Sequence, residues 1–346
     1  MKRGIYRPIM AQLAARRLRC CLAAGLLGLI GGVALVGQGE AVKDSHAGVF
    51  RPGGMAPRDT RRALGHDAQA LDGCLRAGAV DRSTPARAQL GRLFEILSTS
   101  ETGREILRQA RLRDVRVCVD DETDLFAYYF ADVRVVGVSA ALSEGGKLAF
   151  LAHELAHVPQ HPAYSDNRYY PPDDLVLLRR VREATAEAVA TRTAWELREN
   201  GYDAAWNERA ATPYGDLARA FEAVAAADRS AEGLLRATRA AFDRWFDAPW
   251  RLDVYDRMTL SHLARISEDA IGLVPPRYAL TPSFLADIAW LNGRNFLTGT
   301  GAPPLTGRAY AGRISGRNDA RLGRFLDRVT GSATPFGTAR VAGLVY

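Results

Sequence analysis

The chain has 346 residues, 47% of them hydrophobic and 25% charged, with 32 Gly and 16 Pro. Those proportions exclude a disordered chain, a collagen and a multi-span membrane protein, and the length suits one large domain or two small ones. The formal charge of +7 is concentrated at the start. Lys2, Arg3, Arg7, Arg16, Arg17 and Arg19 face a single acid, Glu40, and without residues 1–41 the balance is 40 basic against 38 acidic residues. A nearly neutral body is not a phosphate-binding surface, so no nucleic-acid partner is expected.

The basic stretch 1–19 precedes an uncharged run of 18 residues from Cys20 to Gly37. This is the layout of an export signal or an N-terminal anchor. Five glycines weaken the run as a membrane helix, and Gly39 and Ala41 provide small residues for cleavage after Ala41. Residues 1–42 are therefore read as a signal peptide or an anchor held in the membrane through residues 20–37. The basic flank stays in the cytoplasm. The body is expected to be exported: periplasmic, or anchored to the inner membrane and facing away from the cytoplasm. A buried core helix is the alternative, but the run has no polar face. Cys20 and Cys21 lie inside the run. Cys74 and Cys118 remain, an even pair that an oxidising compartment would join in a disulfide; two buried free thiols are the other reading.

Residues 43–84 read as a polar arm or linker rich in Gly, Pro, Arg and Asp. A folded domain is expected over 85–300. Two helices open it between Pro85 and Arg113, with Leu90, Leu93, Phe94 and Leu97 at helical spacing in the first and Ile106 and Leu107 in the second. Three strands follow. Val115, Val117 and Val119 alternate with Arg116 and Cys118; Phe126 to Phe130 is aromatic; Val133 to Val138 is apolar. The pattern then changes to helix, with Leu148, Leu151, Ala152 and Leu155 on one face. After residue 172 nearly everything to residue 293 reads as helix, the part from about 201 forming a helical C-terminal section. Residues 301–346 read as a loop-rich tail.

The helix after the third strand contains His153-Glu154-Leu155-Ala156-His157, the pattern H-E-x-x-H. Histidines four apart project from the same helix face and can share one tetrahedral zinc ion at about 2.0–2.1 Å. Glu154, beside the first histidine, can take a proton from a metal-bound water. The neighbours Leu148 to Ala152, Leu155 and Ala156 are uncharged, as a dry site requires. A third protein ligand is needed. Gln160 and Ala163 stand where the metzincin pattern needs Gly and His, and Pro159 and Pro162 carry His161 off the helix. A better source is the long helix expected over 173–199, entered through Pro171-Pro172 and begun by Asp173-Asp174. In it Glu183 and Glu187 are four apart on one face, among Ala184, Thr185, Ala186, Ala188 and Ala190. An exposed glutamate pair supported by Arg179, Arg180 and Arg182 is the competing reading.

Over residues 133–195 this arrangement resembles the gluzincin metallopeptidases, in which H-E-x-x-H is followed by a glutamate ligand on a later helix and an acid four residues beyond it. The resemblance implies an α+β, zincin-like fold: a small sheet, an active-site helix and a mostly helical C-terminal half. It implies zinc held by His153, His157 and Glu183, with Glu154 catalytic. Glu187 is then the second acid, or the alternative ligand, because the commoner family forms carry Asp there. Hydrolysis of a protein or peptide substrate follows, with Tyr255, His262, Tyr169 or Tyr170 as oxyanion donors and the strand Val133–Val138 pairing with extended substrate. The wider layout resembles bacterial exported proteins classed as metallopeptidases, which assigns no substrate. Two other functions fit the same residues. One is a zincin-fold binding or scaffold protein with structural metal, using Trp206, Trp245 and Trp250 as a partner surface. The other is a non-peptidase metallohydrolase acting on cell-wall material.

Overall fold

A computed structural model describes residues 73–121, 123, 125–160, 172–268, 280, 286–300, 318–321 and 323–324. The expected signal or anchor, His161, Tyr169, Tyr170 and most of the expected tail lie outside the described residues. Helix α1 (Pro85–Leu97) begins where the Thr84 side chain accepts from the Arg87 amide, with Pro85 at the first helical position. That placement costs nothing, since the amide there has no intrahelical partner. Helix α2 (Glu101–Leu112) is capped in the same way by Ser100. Leu90, Leu93, Phe94, Leu97, Ile106 and Leu107 are all buried.

Four strands follow the order β1-β2-β4-β3, comprising β1 (Leu75–Arg76), β2 (Arg116–Asp120), β3 (Ala127–Phe130) and β4 (Val135–Ser139). Strands β2 and β4 are parallel; the other pairs are antiparallel. The third expected strand therefore starts later than its apolar pattern suggests, at Val135, because Arg134 has a φ of 56° that breaks the extended run. It is also central. Neighbours on both sides take its backbone groups and all five residues are buried, so the expected pairing of this strand with substrate is corrected: the outer strand beside it is β3. Gly137 of β4 is required by contact. The Tyr128 ring lies where its Cβ would be, 2.2 Å away, while the Tyr128 hydroxyl donates to Asp120 Oδ2 at 2.8 Å.

Residues 73–84, read above as linker, carry β1. Cys74, Leu75 and Ala77 are buried, and a disulfide joins Cys74 to Cys118 across the β1–β2 pair. The strand is too short to register as one in the sequence.

The helical half comprises α3 (Glu144–His157), a 3₁₀ turn (Val158–Gln160), α4 (Pro172–Glu199), α5 (Ala204–Ala211), α6 (Gly215–Ala225), α7 (Ala231–Trp245) and α8 (Pro249–Glu268). Helix α4 is its axis and packs against α3, α5, α7 and α8. From Arg180 to Leu197 every residue of α4 is buried, including its charged ones. Buried charges need partners, and α4 finds them both within itself, as in Arg192 with Glu196 at 2.7 Å, and on other elements. Arg180 makes a two-point pair with Asp256 of α8 at 2.8 and 2.6 Å. Glu196 accepts from the Thr102 amide and hydroxyl at the start of α2, at 2.7 and 2.8 Å.

The tryptophans offered as a partner surface are mostly interior. Trp245 has no exposed area, Trp206 is buried edge-on to Trp195 at 5.3 Å, and Trp250 is half-buried. The helical reading to residue 293 is corrected at its end, where Trp290–Leu291 (β5) and Arg294–Asn295 (β6) form a hairpin. Asn292 and Gly293 make its turn with φ of 52° and 72°, the left-handed pair such a tight turn demands. Part of the expected tail is fastened down, since Asn318 Nδ2 donates to the Asp253 carbonyl at 2.9 Å. Among the described residues no helix is long and apolar enough to cross a membrane.

Candidate metal centre

The strand β4 delivers the chain to α3. Ser143 caps that helix by accepting from the Gly146 amide at 2.9 Å, and buried Lys147 donates to the carbonyls of Ala140 and Leu142, fixing the connecting turn. Gly145 allows the start of α3 to lie against α5: a Cβ there would stand 2.5 Å from the Ala204 carbonyl oxygen. Two turns further on, His153, Glu154 and His157 are all buried.

The Nε2 atoms of His153 and His157 are 3.1 Å apart, and Glu183 Oε2, brought by α4, lies 3.5 and 3.7 Å from them. A tetrahedral ion with bonds of about 2.0–2.1 Å holds its ligand atoms roughly 3.3–3.4 Å from one another. The triangle has the size of such a shell, and these residues are the metal-ligand cluster among the described residues. Two carboxylate oxygens, Glu183 Oε2 and Glu154 Oε2, are buried without a hydrogen-bond partner among the described residues. Lone acceptors in a dry site are costly unless a cation or a proton meets them. The residues present thus fit a divalent metal.

Each ligand is aimed from behind. His157 Nδ1 donates to Gln160 Oε1 at 2.8 Å, and the Gln160 amide nitrogen donates to the Arg182 carbonyl at 3.2 Å. The second bond fixes which end of the amide faces the ring, so the lone pair of His157 sits on Nε2. His153 Nδ1 lies 3.2 Å from Glu187 Oε1. Glu187 Oε2 accepts from Arg209 of α5 at 2.5 Å. Arg179, one turn before Glu183, holds the other oxygen of that glutamate, Oε1, at 2.7 Å.

Burial opposes ionisation at every one of these groups, and neighbouring charges decide the outcome. Burial alone would lower the His153 pKa, but Glu187 and Glu183 outweigh it and raise it to about 10 in the metal-free protein. Burial pushes Glu183 up, yet Arg179 and the two imidazoles hold it well below the usual range. Glu187 is likewise opposed by burial and is held at about 2, by Arg209 and His153. Of the three carboxylates, only Glu154 ends above its ordinary value, because its burial exceeds the pull of the histidines. The surroundings thus drive the carboxylates apart, Glu154 upward and Glu183 and Glu187 downward.

The expected oxyanion donors fare unequally. Tyr255 has no exposed surface, and its hydroxyl is 3.1 Å from that of Tyr214, also fully buried. His262 is half-buried two turns further along α8 and is not part of the metal cluster. Sequence reasoning gave no role to Gln160, Arg209 or Tyr214, and it invoked Arg179 only in the competing reading of an exposed glutamate pair. Arg179 stands four residues before Glu183, a spacing that could have shown the contact. Nothing in the sequence singles out Arg209 among the arginines.

Two imidazoles and a carboxylate within reach of one ion, with an unpartnered glutamate next in the chain to the first imidazole, make a candidate metal centre. The family model described as "Putative metallopeptidase family (DUF6782)" matches residues 66–297, about two thirds of the chain, and the chain belongs to that family. Comparison with curated proteins and with solved structures gives no match.

Proposed function

We propose that the protein is a zinc-dependent peptidase of the gluzincin type that works outside the cytoplasm. The observation that carries this reading is the triangle of His153 Nε2, His157 Nε2 and Glu183 Oε2 beside the unpartnered Glu154 Oε2. Two imidazoles and one carboxylate are a donor set that zinc favours in hydrolases. When bound, zinc would supply Lewis acidity to a scissile carbonyl and bring the pKa of water to about 7. The chain's own part is proton handling and alignment. Glu154 takes the proton of the attacking water on its free oxygen and returns it to the leaving amine, a role suited to a carboxylate whose pKa burial has raised. Gln160 and Glu187 hold the two rings in place throughout. An extended peptide would lie along β3, the outer strand next to β4, which packs against α3. The Cys74–Cys118 disulfide supports an oxidising compartment and with it the export reading of the N-terminus.

The test is the metal content of the purified body together with hydrolysis of unfolded protein by wild type and Glu154→Gln. One zinc per chain is expected, with the variant keeping its zinc and losing about 10²–10⁴-fold in rate. A wild-type chain that retains no metal, or hydrolysis indifferent to Glu154→Gln, overturns the reading.

A further inference from the structure

Helix α5 is only eight residues long, yet it is fastened to both helices that supply the metal ligands. Toward α3, Glu208 Oε2 accepts from the Ser143 hydroxyl at 3.0 Å, and the Ala204 carbonyl fills the place of a Gly145 side chain. Toward α4, the next residue, Arg209, is buried and makes three contacts from a single nitrogen. Nη2 donates to Glu187 Oε2 at 2.5 Å, to the Glu187 carbonyl at 3.2 Å and to Thr191 Oγ1 at 2.9 Å.

This contact bears on a choice that the two glutamates leave open. Glu183 and Glu187 are chemically identical, one helical turn apart, and both lie beside His153, at 3.5 and 3.2 Å. What differs is the cation behind each. Arg179 takes Oε1 of Glu183 and leaves Oε2 turned toward both imidazoles. Arg209 takes Oε2 of Glu187 and leaves Oε1 against His153 Nδ1, the ring nitrogen on the far side from the shared point. We infer that Arg209 is a positioning residue that assigns these roles: it holds Glu187 as the base that orients His153 and keeps it out of the ligand shell, so that Glu183 is the ligand. The inference rests on the metal reading above and deepens it. Helix α5 is then part of the metal site although it contributes no ligand.

The test uses the zinc dissociation constant, measured by competition with a chelating dye, and the visible spectrum of the cobalt-substituted protein. It compares wild type, Arg209→Met, Arg209→Lys, Glu187→Gln and the double variant Glu187→Gln/Arg209→Met. Arg209→Met should weaken zinc binding about 10–100-fold, as loss of support behind a ligating histidine does. It should also alter the cobalt spectrum, because a released Glu187 changes the ligand shell. Arg209→Lys should restore most of both. All three contacts come from one nitrogen and Arg209 Nε is unpartnered among the described residues, so an ammonium with three N–H donors can replace them. Adding Arg209→Met to Glu187→Gln should change neither quantity further. Wild-type affinity and spectrum in Arg209→Met, or an additional loss in the double variant, overturns the inference alone. Should Arg209→Met fail to fold, Glu187→Gln against the double variant decides, since there the glutamine leaves no unpaired carboxylate buried. A wild-type chain that takes up neither zinc nor cobalt overturns the metal reading and this inference together.

Discussion

Glu154 is a carboxylate placed where its charge is expensive. It is 2% exposed and one of its oxygens has no hydrogen-bond partner among the described residues, so burial raises its pKa in the folded state. The consequence for stability has a definite sign. Below about pH 4.5 the group is protonated in both folded and unfolded chains and contributes nothing. As pH rises above that value the unfolded chain ionises first, and folding loses free energy until the folded group ionises as well. Glu154→Gln removes the loss. The metal-free variant should therefore melt at a higher temperature than metal-free wild type at pH 8, with the gap closing as the pH falls toward 4.5. Melting curves across that range check it, and a variant less stable at pH 8 would show that the ionised carboxylate is held by more than the structure contains. The two α4 glutamates call for a separate comparison. Glu183→Ala removes a ligand and should abolish zinc binding at micromolar concentrations. Glu187→Ala removes only support and should cost about 10–100-fold; equal losses would contradict the assignment of roles. The residues of the candidate cluster were legible in the sequence because helical spacing puts His153 with His157, and Glu183 with Glu187, on common faces. Gln160 was legible only as a mismatch to another pattern, since its use depends on the Arg182 carbonyl that α4 happens to present. Arg209 lies 22 residues beyond Glu187, and only tertiary packing brings the two together.

At the scale of elements, the centre is a junction of three helices, and small residues set its spacing. Along α4, Ala184, Ala186, Ala188 and Ala190 have no exposed surface, which permits neighbouring helices to approach closely. On α3 the same task falls to Gly145, whose missing side chain is replaced by the backbone of Ala204. A carbonyl cannot swing aside as a flexible side chain can, so Gly145→Ala must push α5 away from α3. The cost expected is about 1–3 kcal/mol, together with weaker zinc binding, because Arg209 moves with α5. Chemical denaturation and zinc affinity measured on the same sample test this; destabilisation with unchanged affinity would separate α5 from the metal site. Periodicity found the long helices, since each buries one apolar stripe or, for α4, nearly its whole circumference. It did not find β1, whose two residues carry no pattern, nor the place of β4 in the sheet. An apolar strand reads the same whether it is central or at an edge, and only the pairing of β2 and β3 on either side distinguishes the cases. The β5–β6 hairpin did leave a signal in Asn292-Gly293, which the helical reading of that region overran.

For the molecule as a whole, the question is how a strand of two residues stays attached to the sheet. Strand β1 pairs with β2 through Leu75 and Arg76, and the Ala77 amide donates to the Val115 carbonyl at 3.0 Å, few backbone bonds to offset the entropy of ordering the segment. The disulfide from Cys74 to Cys118 supplies what the ladder lacks. It closes a loop of sequence separation 44, and a loop of that length restricts the unfolded chain by about 4 kcal/mol in the chain-entropy account. The double variant Cys74→Ser/Cys118→Ser should thus be less stable by up to about 4 kcal/mol, and wild type unfolded and refolded under reducing conditions should match it. Zinc affinity should be nearly unaffected. Strand β1 lies at the opposite edge of the sheet from β3, and the ligands are carried by α3 and α4. Denaturation curves and zinc titrations of the oxidised, reduced and double-variant proteins separate the two quantities. If zinc affinity falls in step with stability, the sheet edge and the metal centre form one cooperative unit, and the disulfide would then govern the site as well as the fold.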